Sequence, residues 1–243
     1  DAATGDFSGD VDVDGTLETD AITLGGASFI KVEGTNFTDS LIVGHATTGT
    51  LDAAQRNNAV GIDAMQSLTT GDDNTALGFS ALKLDDAGRR NVMIGSYAGD
   101  AITSGHESVA IGTYALSANQ TATGNTALGY SALNLATGAK NIAIGYNSGD
   151  NITSGAGNVI IGGINAGSAT GDNQLIIADG TDGSVKWLDG DSSGNVTFPA
   201  EVAAATLDIS GAIDIDGTAN LDTVDIDGAV QLDATLTVGA DDQ

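Results

Sequence analysis

The sequence predicts an all-β fold, a parallel β-solenoid (β-roll or β-helix) with coils of about 17 residues. The main observation is a phrase of the form Asn-x-Ala-(Leu/Ile)-Gly that recurs through residues 57–178. It ends, at steps of 16 or 17 residues, at Gly61, Gly78, Gly95, Gly112, Gly129, Gly145, Gly162 and, in degenerate form, Ala178. Each repeat in such a solenoid buries its apolar residues only by stacking on its neighbours. Abundant Gly and Thr and the absence of sustained heptads disfavour helices.

Each phrase contains two rows of side chains, because successive residues of a strand point to opposite faces. One row is β-branched or Leu, and we assign it to the coil interior: Thr75, Val92, Val109, Thr126, Ile142 and Val159, with Leu77, Ile94, Ile111, Leu128, Ile144 and Ile161. The other row is mostly small, which suits close approach to another chain: Ala76, Met93, Ala110, Ala127, Ala143 and Ile160.

Two turns per repeat are predicted from the glycines. The Gly that ends each phrase marks one corner, where a positive φ or a close backbone approach excludes a Cβ. A second corner is marked by Gly71, Gly88, Gly105, Gly124, Gly138, Gly155 and Gly171. These corners predict two short strands per coil, and the Asn that opens most phrases is expected to form a side-chain ladder between coils.

The rest of the chain divides into three parts around the solenoid of residues 57–178. Residues 1–56 and 201–243 show period-two alternation with acidic polar positions, which predicts thin β fibrous segments. One chain buries little core with strands this short, whereas three intertwined chains around an axis bury more. Residues 179–200 are expected to form a hairpin that caps the solenoid. The chain begins with Asp1 rather than Met, which predicts a processed product or part of a longer protein.

The composition excludes several classes of function. The chain carries 33 acidic and 7 basic residues, a net charge of −26, which repels nucleic acid and anionic membrane surfaces. There is no cysteine, so disulfides and thiolate chemistry are excluded. No apolar run is long enough to cross a bilayer, so membrane insertion is not expected.

The repeats at Ser108–Gly112, Asn125–Leu133 and Asn141–Gly145 resemble the head repeats of trimeric autotransporter adhesins, and resemble more closely repeats in tail-fibre proteins of tailed bacteriophages. The period near 17 and the lack of a neck motif, coiled-coil stalk or anchoring barrel favour the phage fibre. The resemblance implies an extracellular, homotrimeric β fibre on a virion. Its partners would be other virion or fibre proteins and a glycan or protein of the host surface.

Aromatic residues are the first candidate binding site. Five fall just after a phrase-ending Gly: Phe79, Tyr97, Tyr114, Tyr130 and Tyr146. As an exposed row they would offer a stacking platform for sugar rings of a host receptor. The interpretation we favour is that they fill the coil corners and stack on one another. Trp187 is likewise favoured as a capping residue over a receptor contact.

A weak cation site is the second candidate. The opening of an EF-hand calcium loop is matched by Asp10, Asp12 and Asp14. Position twelve of that loop is Ala21 instead of a bidentate Glu, so a solvated acidic strand face is favoured over weakly bound Ca²⁺. No other cofactor is predicted.

No catalytic residue is predicted. Neither a nucleophile elbow nor a phosphate-binding loop occurs, and no carboxylate pair is singled out. We therefore expect a non-enzymatic adhesion fibre. The alternatives are a secreted filament or surface-layer subunit that assembles end to end, and a polysaccharide-degrading tailspike.

Overall fold

The computed structural model describes residues 22–24, 27–34, 37–43 and 52–199. These residues form strands and turns without a helix, which confirms the predicted all-β solenoid. The proposed calcium ligands Asp10, Asp12 and Asp14 lie outside the described residues. So does the whole of the predicted fibrous segment 201–243.

The solenoid consists of eight parallel strands in one sheet. They are β5 (Asn58–Val60), β6 (Thr75–Leu77), β7 (Val92–Ile94), β8 (Val109–Ile111), β9 (Thr126–Leu128), β10 (Ile142–Ile144), β11 (Val159–Ile161) and β12 (Leu175–Ala178). Each pairs in unbroken register with the next, so equivalent residues of successive phrases lie side by side.

Antiparallel strands flank this sheet at both described ends. On the N-terminal side β1 (Ile22–Leu24), β2 (Ala27–Gly34) and β3 (Phe37–Val43) pair antiparallel, while β4 (Ala54–Gln55) and β5 each pair parallel to β3. On the C-terminal side β13 (Lys186–Gly190) pairs antiparallel with β12 and then with β14 (Val196–Thr197). Residues 179–199 therefore add a hairpin to the last coil strand.

The prediction of two strands per coil was wrong, since each coil from β6 to β11 has one three-residue strand followed by turns. The turns contain non-glycine residues with left-handed backbone, such as Ser80 (φ 53°) and Leu82 (φ 51°). A strand needs extended φ and ψ at successive residues, so this segment cannot be one. It is held instead by coil-to-coil backbone hydrogen bonds, for example from Leu82 N–H to the Ala98 carbonyl.

The assignment of the two strand rows was also wrong: the small row is inside and the β-branched and Leu row is outside. Ala110, Ala127 and Ala143 are fully buried, whereas Leu77 and Leu128 are 47% and 43% exposed. The turns supply the large core residues, which are Met65, Leu68, Leu82, Ile102, Leu116, Leu133 and Ile152. Because these side chains fill the narrow coil from the turn side, most strands have room only for a small inward-facing side chain.

One coil exchanges a large and a small residue across this core. Met93 replaces the usual strand alanine where Gly99 replaces the usual turn leucine, and a Cβ at Gly99 would lie 2.6 Å from the Met93 sulfur. At Gly149, which shares its coil with Ala143, the space is filled from the next coil, where the Ile160 Cγ1 would lie 3.5 Å from a Cβ at Gly149. Core volume is thereby kept within one coil in the first case and between two neighbouring coils in the second, as close packing requires.

The predicted asparagine ladder is present and buried. Its buried members are Asn57, Asn74, Asn91, Ser108, Asn125, Asn141 and Asn158, and the half-buried Gln174 ends it. The side-chain oxygen of each buried member accepts a hydrogen bond from the next coil's backbone N–H, at 3.0 Å from Asn91 to Asn74. Each Asn Nδ2 also donates to a carbonyl at the second corner, at 2.8 Å from Asn91 to Gly105. The ladder thus satisfies buried backbone groups in the coil interior.

One coil replaces the ladder asparagine and repairs the loss. Ser108 supplies an acceptor to the N–H of Asn125 at 3.2 Å but has no amide to donate to the second corner. Asn119, at a core position usually held by Leu, Ile or Ala, donates to the Ala122 carbonyl at 3.2 Å and accepts from its N–H at 2.9 Å.

The corner glycines are required by close approach of the coils. At Gly78 φ is +138°, and a Cβ would lie 2.7 Å from the Gly95 carbonyl carbon. The glycines of the second corner are also packed closely against the next coil. In one coil this corner is occupied by Ala122 rather than Gly124, since a Cβ at Gly105 would meet the Ala122 oxygen at 2.8 Å. The assignment of Gly124 to this corner was therefore wrong, because that residue lies two positions further on.

Candidate functional site

The first surface feature is an apolar outer sheet face, formed by the first and third residues of strands β5 to β12. Its most exposed apolar members, 37–47% exposed, are Val60, Leu77, Ile111, Leu128, Ile142 and Ile144. None of these eight strands contains a charged residue. Exposed apolar patches on monomers rarely exceed a few hundred Å², so a larger one indicates an interaction surface.

The second feature is an aromatic ladder at the corner that follows the sheet. Its members, Phe79, Tyr97, Tyr114, Tyr130 and Tyr146, have neighbouring ring centroids 5.1–6.3 Å apart. Rings at the same coil position stack nearly parallel, as in the pair Tyr97–Tyr114 (5.1 Å, 7°) and the pair Tyr130–Tyr146 (5.3 Å, 13°). In some coils the aromatic residue is the first after the Gly and in others it is the second. Where neighbouring coils differ in this position the rings meet edge-to-face, at 89° between Tyr114 and Tyr130.

This geometry matches the expectation that the rings stack on one another at the corners. Four of the five aromatic residues are still 39–59% exposed, although within each parallel pair one face of each ring is covered by the other. A sugar ring stacks on an aromatic face rather than on an edge. Sugar binding by the inner rings stays a prediction, and the free ring faces lie at the ends of the ladder.

Trp187 lies on the capping hairpin with 57% of its surface exposed. It occupies β13, whose partner strand β12 belongs to the last coil. The indole therefore sits beside the end of the coil stack. Its role as a receptor contact stays a prediction.

Two exposed carboxylates organise the loops of the hairpin. Asp179 accepts hydrogen bonds from the backbone N–H groups of Val185, Asp182, Thr181 and Gly183, at 2.8–3.2 Å, and the first three lower its pKa most, to about 2. Asp191 is held in the same way, and the side-chain and backbone N–H groups of Asn195 lower its pKa most. Both carboxylates thus act as loop supports.

Asp85 is the one buried acid of the described core. Its Oδ1 accepts the N–H of Gly88 at 2.7 Å, while Oδ2 is buried without a partner in this part of the structure. Burial raises the pKa of Asp85 to about 7, and the neighbouring charge of Asp86 adds to the rise. The carboxyl occupies the coil position of Asn119, so it is an incompletely hydrogen-bonded member of the core rather than a surface site.

Several exposed charged side chains form ion pairs between neighbouring coils. Arg56 pairs with Asp73 at 2.5 Å and Arg90 with Glu107 at 2.8 Å, each across one coil step. Among residues 40–43 and 52–199 no group of three His, Asp or Glu side chains is placed to hold a metal ion.

Two clefts lie near the C-terminal end of the described coils. One of about 380 Å³ lies between the last coil and the hairpin, and its carboxylates are already engaged: Asp189 with Lys186 (2.7 Å), Asp172 with the N–H of Ala156 (2.8 Å) and Asp191 as above. The other, of about 370 Å³, lies beyond the end of the aromatic ladder and includes Asn147 and Gly163.

The outer sheet face and the second cleft were not predicted from the sequence. The sheet face was missed because its row had been assigned to the interior. A signal for the cleft was present: the phrase ending at Gly162 is followed by Gly163, where the two preceding phrases have Tyr130 and Tyr146.

Fold and surface together define a β-solenoid repeat protein with one apolar, uncharged face and an aromatic corner. Comparison of the chain with protein-family models, curated proteins and solved structures found no match. Within the described residues there is no helix long and apolar enough to span a membrane.

Proposed function

We propose that this chain is a non-enzymatic, extracellular fibre segment, most consistent with a bacteriophage tail fibre, in which three copies associate through the outer sheet face. The observation that carries the proposal is that face. Six of its apolar residues keep 37–47% of their surface exposed and lie side by side on a face without charges, which is the mark of an interaction surface.

Charge and repeat geometry both support a second copy of the chain as the occupant. At a net charge of −26 two copies repel each other over most of their surface, and a face without charges is where they can approach. Parallel copies also share the same coil spacing of about 4.8 Å. Their rows of Leu and Ile side chains therefore match coil by coil along the whole sheet.

The fibre would act mechanically, by projecting several weak contacts at once toward a host glycan or protein. Three copies raise the effective affinity well above that of one contact. The flanking antiparallel strands favour this assembly over end-to-end stacking of coils, because they replace parallel coil edges at both described ends. Other fibre or virion proteins would bind beyond those ends.

Light scattering coupled to size-exclusion chromatography tests the association. We expect three times the chain mass of 24.0 kDa for the unchanged protein. Leu128→Lys with Ile144→Lys puts charges on the outer sheet face and should give a monomer that keeps its β circular dichroism. Leu135→Lys is the matched control, since Leu135 is 51% exposed but lies in a turn. A folded monomer for the unchanged chain would overturn the proposal.

A further inference from the structure

The aromatic ladder stops abruptly at Tyr146. One face of the Tyr146 ring is covered by Tyr130, at 5.3 Å and 13°. The same position in the next coil is Gly163, which has no side chain to cover the other face. Tyr146 is accordingly the most exposed ring of the ladder, at 59%.

The gap left by Gly163 opens into the second cleft. This cleft has a volume of about 370 Å³, within the range of small-ligand sites, and is lined by Asn147, Asp150, Gly163, Ile164, Asn165 and Asp182. Asn147, whose side-chain amide makes no hydrogen bond to other described residues, directly follows the exposed Tyr146. Tyr146 does not itself line the cleft, but Gly163, at the position where the next ladder ring would lie, does. The cleft therefore places amide and carboxylate groups next to the end of the aromatic ladder.

We propose that one neutral sugar ring stacks on the free face of Tyr146 over Gly163, so that it continues the ladder, and that its hydroxyls reach into the adjoining cleft. Sugars present an apolar face of C–H groups, which pack on aromatic rings, and a rim of hydroxyls, which hydrogen-bond to amides and carboxylates. Asn147 provides the unengaged amide at that rim. Asp150 hydrogen-bonds the Asn165 side chain and Asp182 accepts the Ser184 N–H at 3.0 Å, so these groups offer a sugar only their remaining lone pairs and N–H.

The charge of the site selects the class of sugar. Asp150 and Asp182 both line the cleft, so an acidic sugar would bring a third carboxyl group next to them, and like charges at this distance repel. The net charge of −26 acts in the same direction. Neutral hexoses and N-acetylhexosamines are therefore bound, and uronic or sialic acids are excluded.

This site deepens the proposed function by naming the ligand class of one ladder residue, and it rests on that function for its biological role. The contact is weak for one chain, as expected for a single sugar ring. Repetition in three parallel copies would make it useful.

Saturation-transfer NMR of the full chain tests the site. The probes are the methyl glycosides of glucose, galactose, mannose and N-acetylglucosamine, with glucuronic acid as the acidic probe. We expect transfer to the C–H protons of at least one neutral glycoside and none to glucuronic acid. Tyr146→Ala removes the stacking face, and Gly163→Tyr fills the gap with another ring, so each should reduce the transfer at least fivefold.

A Cβ at Gly163 would lie 3.3 Å from the Gly180 backbone oxygen, a tight contact that requires a small backbone shift, so circular dichroism of Gly163→Tyr must match that of the unchanged chain. Phe79→Ala is the control, since it removes the ring at the opposite end of the ladder and should leave the transfer unchanged. Absence of transfer to every neutral glycoside, or transfer that survives both Tyr146→Ala and Gly163→Tyr, would overturn the site. If the chain is a trimer that binds no neutral glycoside, only the sugar site is refuted. If the chain is a monomer that still binds sugar, only the proposed fibre is refuted.

Discussion

Replacing Asp85 by Asn should stabilise the protein at neutral pH and remove part of its pH dependence. The buried Oδ2 of Asp85 has no partner within the described residues, and burial raises the pKa of this carboxyl to about 7. At the same position two coils on, Asn119 uses its amide to hydrogen-bond both the N–H and the carbonyl of Ala122. Asparagine at position 85 can do the same with Gly88.

The magnitude follows from proton linkage. With a pKa of 3.8 in the unfolded chain and about 7 in the folded one, the folded state keeps a proton between these values that the unfolded state has lost. The free energy of unfolding therefore falls as the pH rises from about 4 to 7 and stays constant at higher pH. The total fall is at most ~4 kcal/mol, at 1.36 kcal/mol per pKa unit. Asp85→Asn should regain about 2 to 4 kcal/mol at pH 8.

Urea unfolding followed by circular dichroism at pH 4.5 and pH 8 measures the effect. The difference in unfolding free energy between the two pH values should be smaller in Asp85→Asn than in the unchanged protein. Asn119→Asp is the mirror control and should introduce a new loss of stability at pH 8. Equal pH dependence in Asp85→Asn and the unchanged chain would refute the assignment of a buried, uncharged carboxyl.

Three further outcomes are expected. Met93→Ala should lower the free energy of unfolding by about 2 to 4 kcal/mol through the cavity it leaves, and Gly99→Leu should clash with Met93. The double variant recreates the common alanine and leucine pair, so it should unfold in urea near the midpoint of the unchanged protein. If the losses of the two single variants simply add, the exchange of volume is contradicted. Asn91→Ala leaves two buried backbone groups unpaired and should cost about 2 to 4 kcal/mol by the same assay, whereas a loss below about 1 kcal/mol would count against the ladder. Asp179 has a lowered pKa, so its support of the hairpin is present above pH 4 and is lost toward pH 2. Trp187 fluorescence should report this transition, and Asp179→Asn should abolish it; an unchanged transition in that variant would assign it to another group.

The repeat period, the strand positions and the corner glycines could be predicted because each leaves a local signal in every repeat. Which strand face is buried could not be predicted from alternation, since alternation separates two faces without orienting them. The information lay elsewhere in the repeat. In one repeat Met93 and Gly99 change size in opposite directions, which indicates that the small strand row and the turn row share one core.

The aromatic ladder was predictable as a column, while its internal geometry and its end were not. Ring orientation depends on whether the aromatic residue is first or second after the Gly, a shift of one position that alternation does not evaluate. The cleft depends on an absent side chain at Gly163 and on residues from more than one coil. The buried state of Asp85 was equally hidden, because acidic residues are common in the turns.

The one-residue-shorter repeats show where this architecture accepts change in length. The Nδ2-to-carbonyl bond of the ladder spans 14 residues at Asn91 but 13 at Asn125 and Asn158, so the missing residue comes from the turn before the second corner. Strand register is unaffected on either side. Duplicating or deleting one whole repeat should therefore change the reach of the protein by a fixed increment of about 4.8 Å while both end structures keep their neighbours. The length of the solenoid is therefore set by the number of repeats in the sequence.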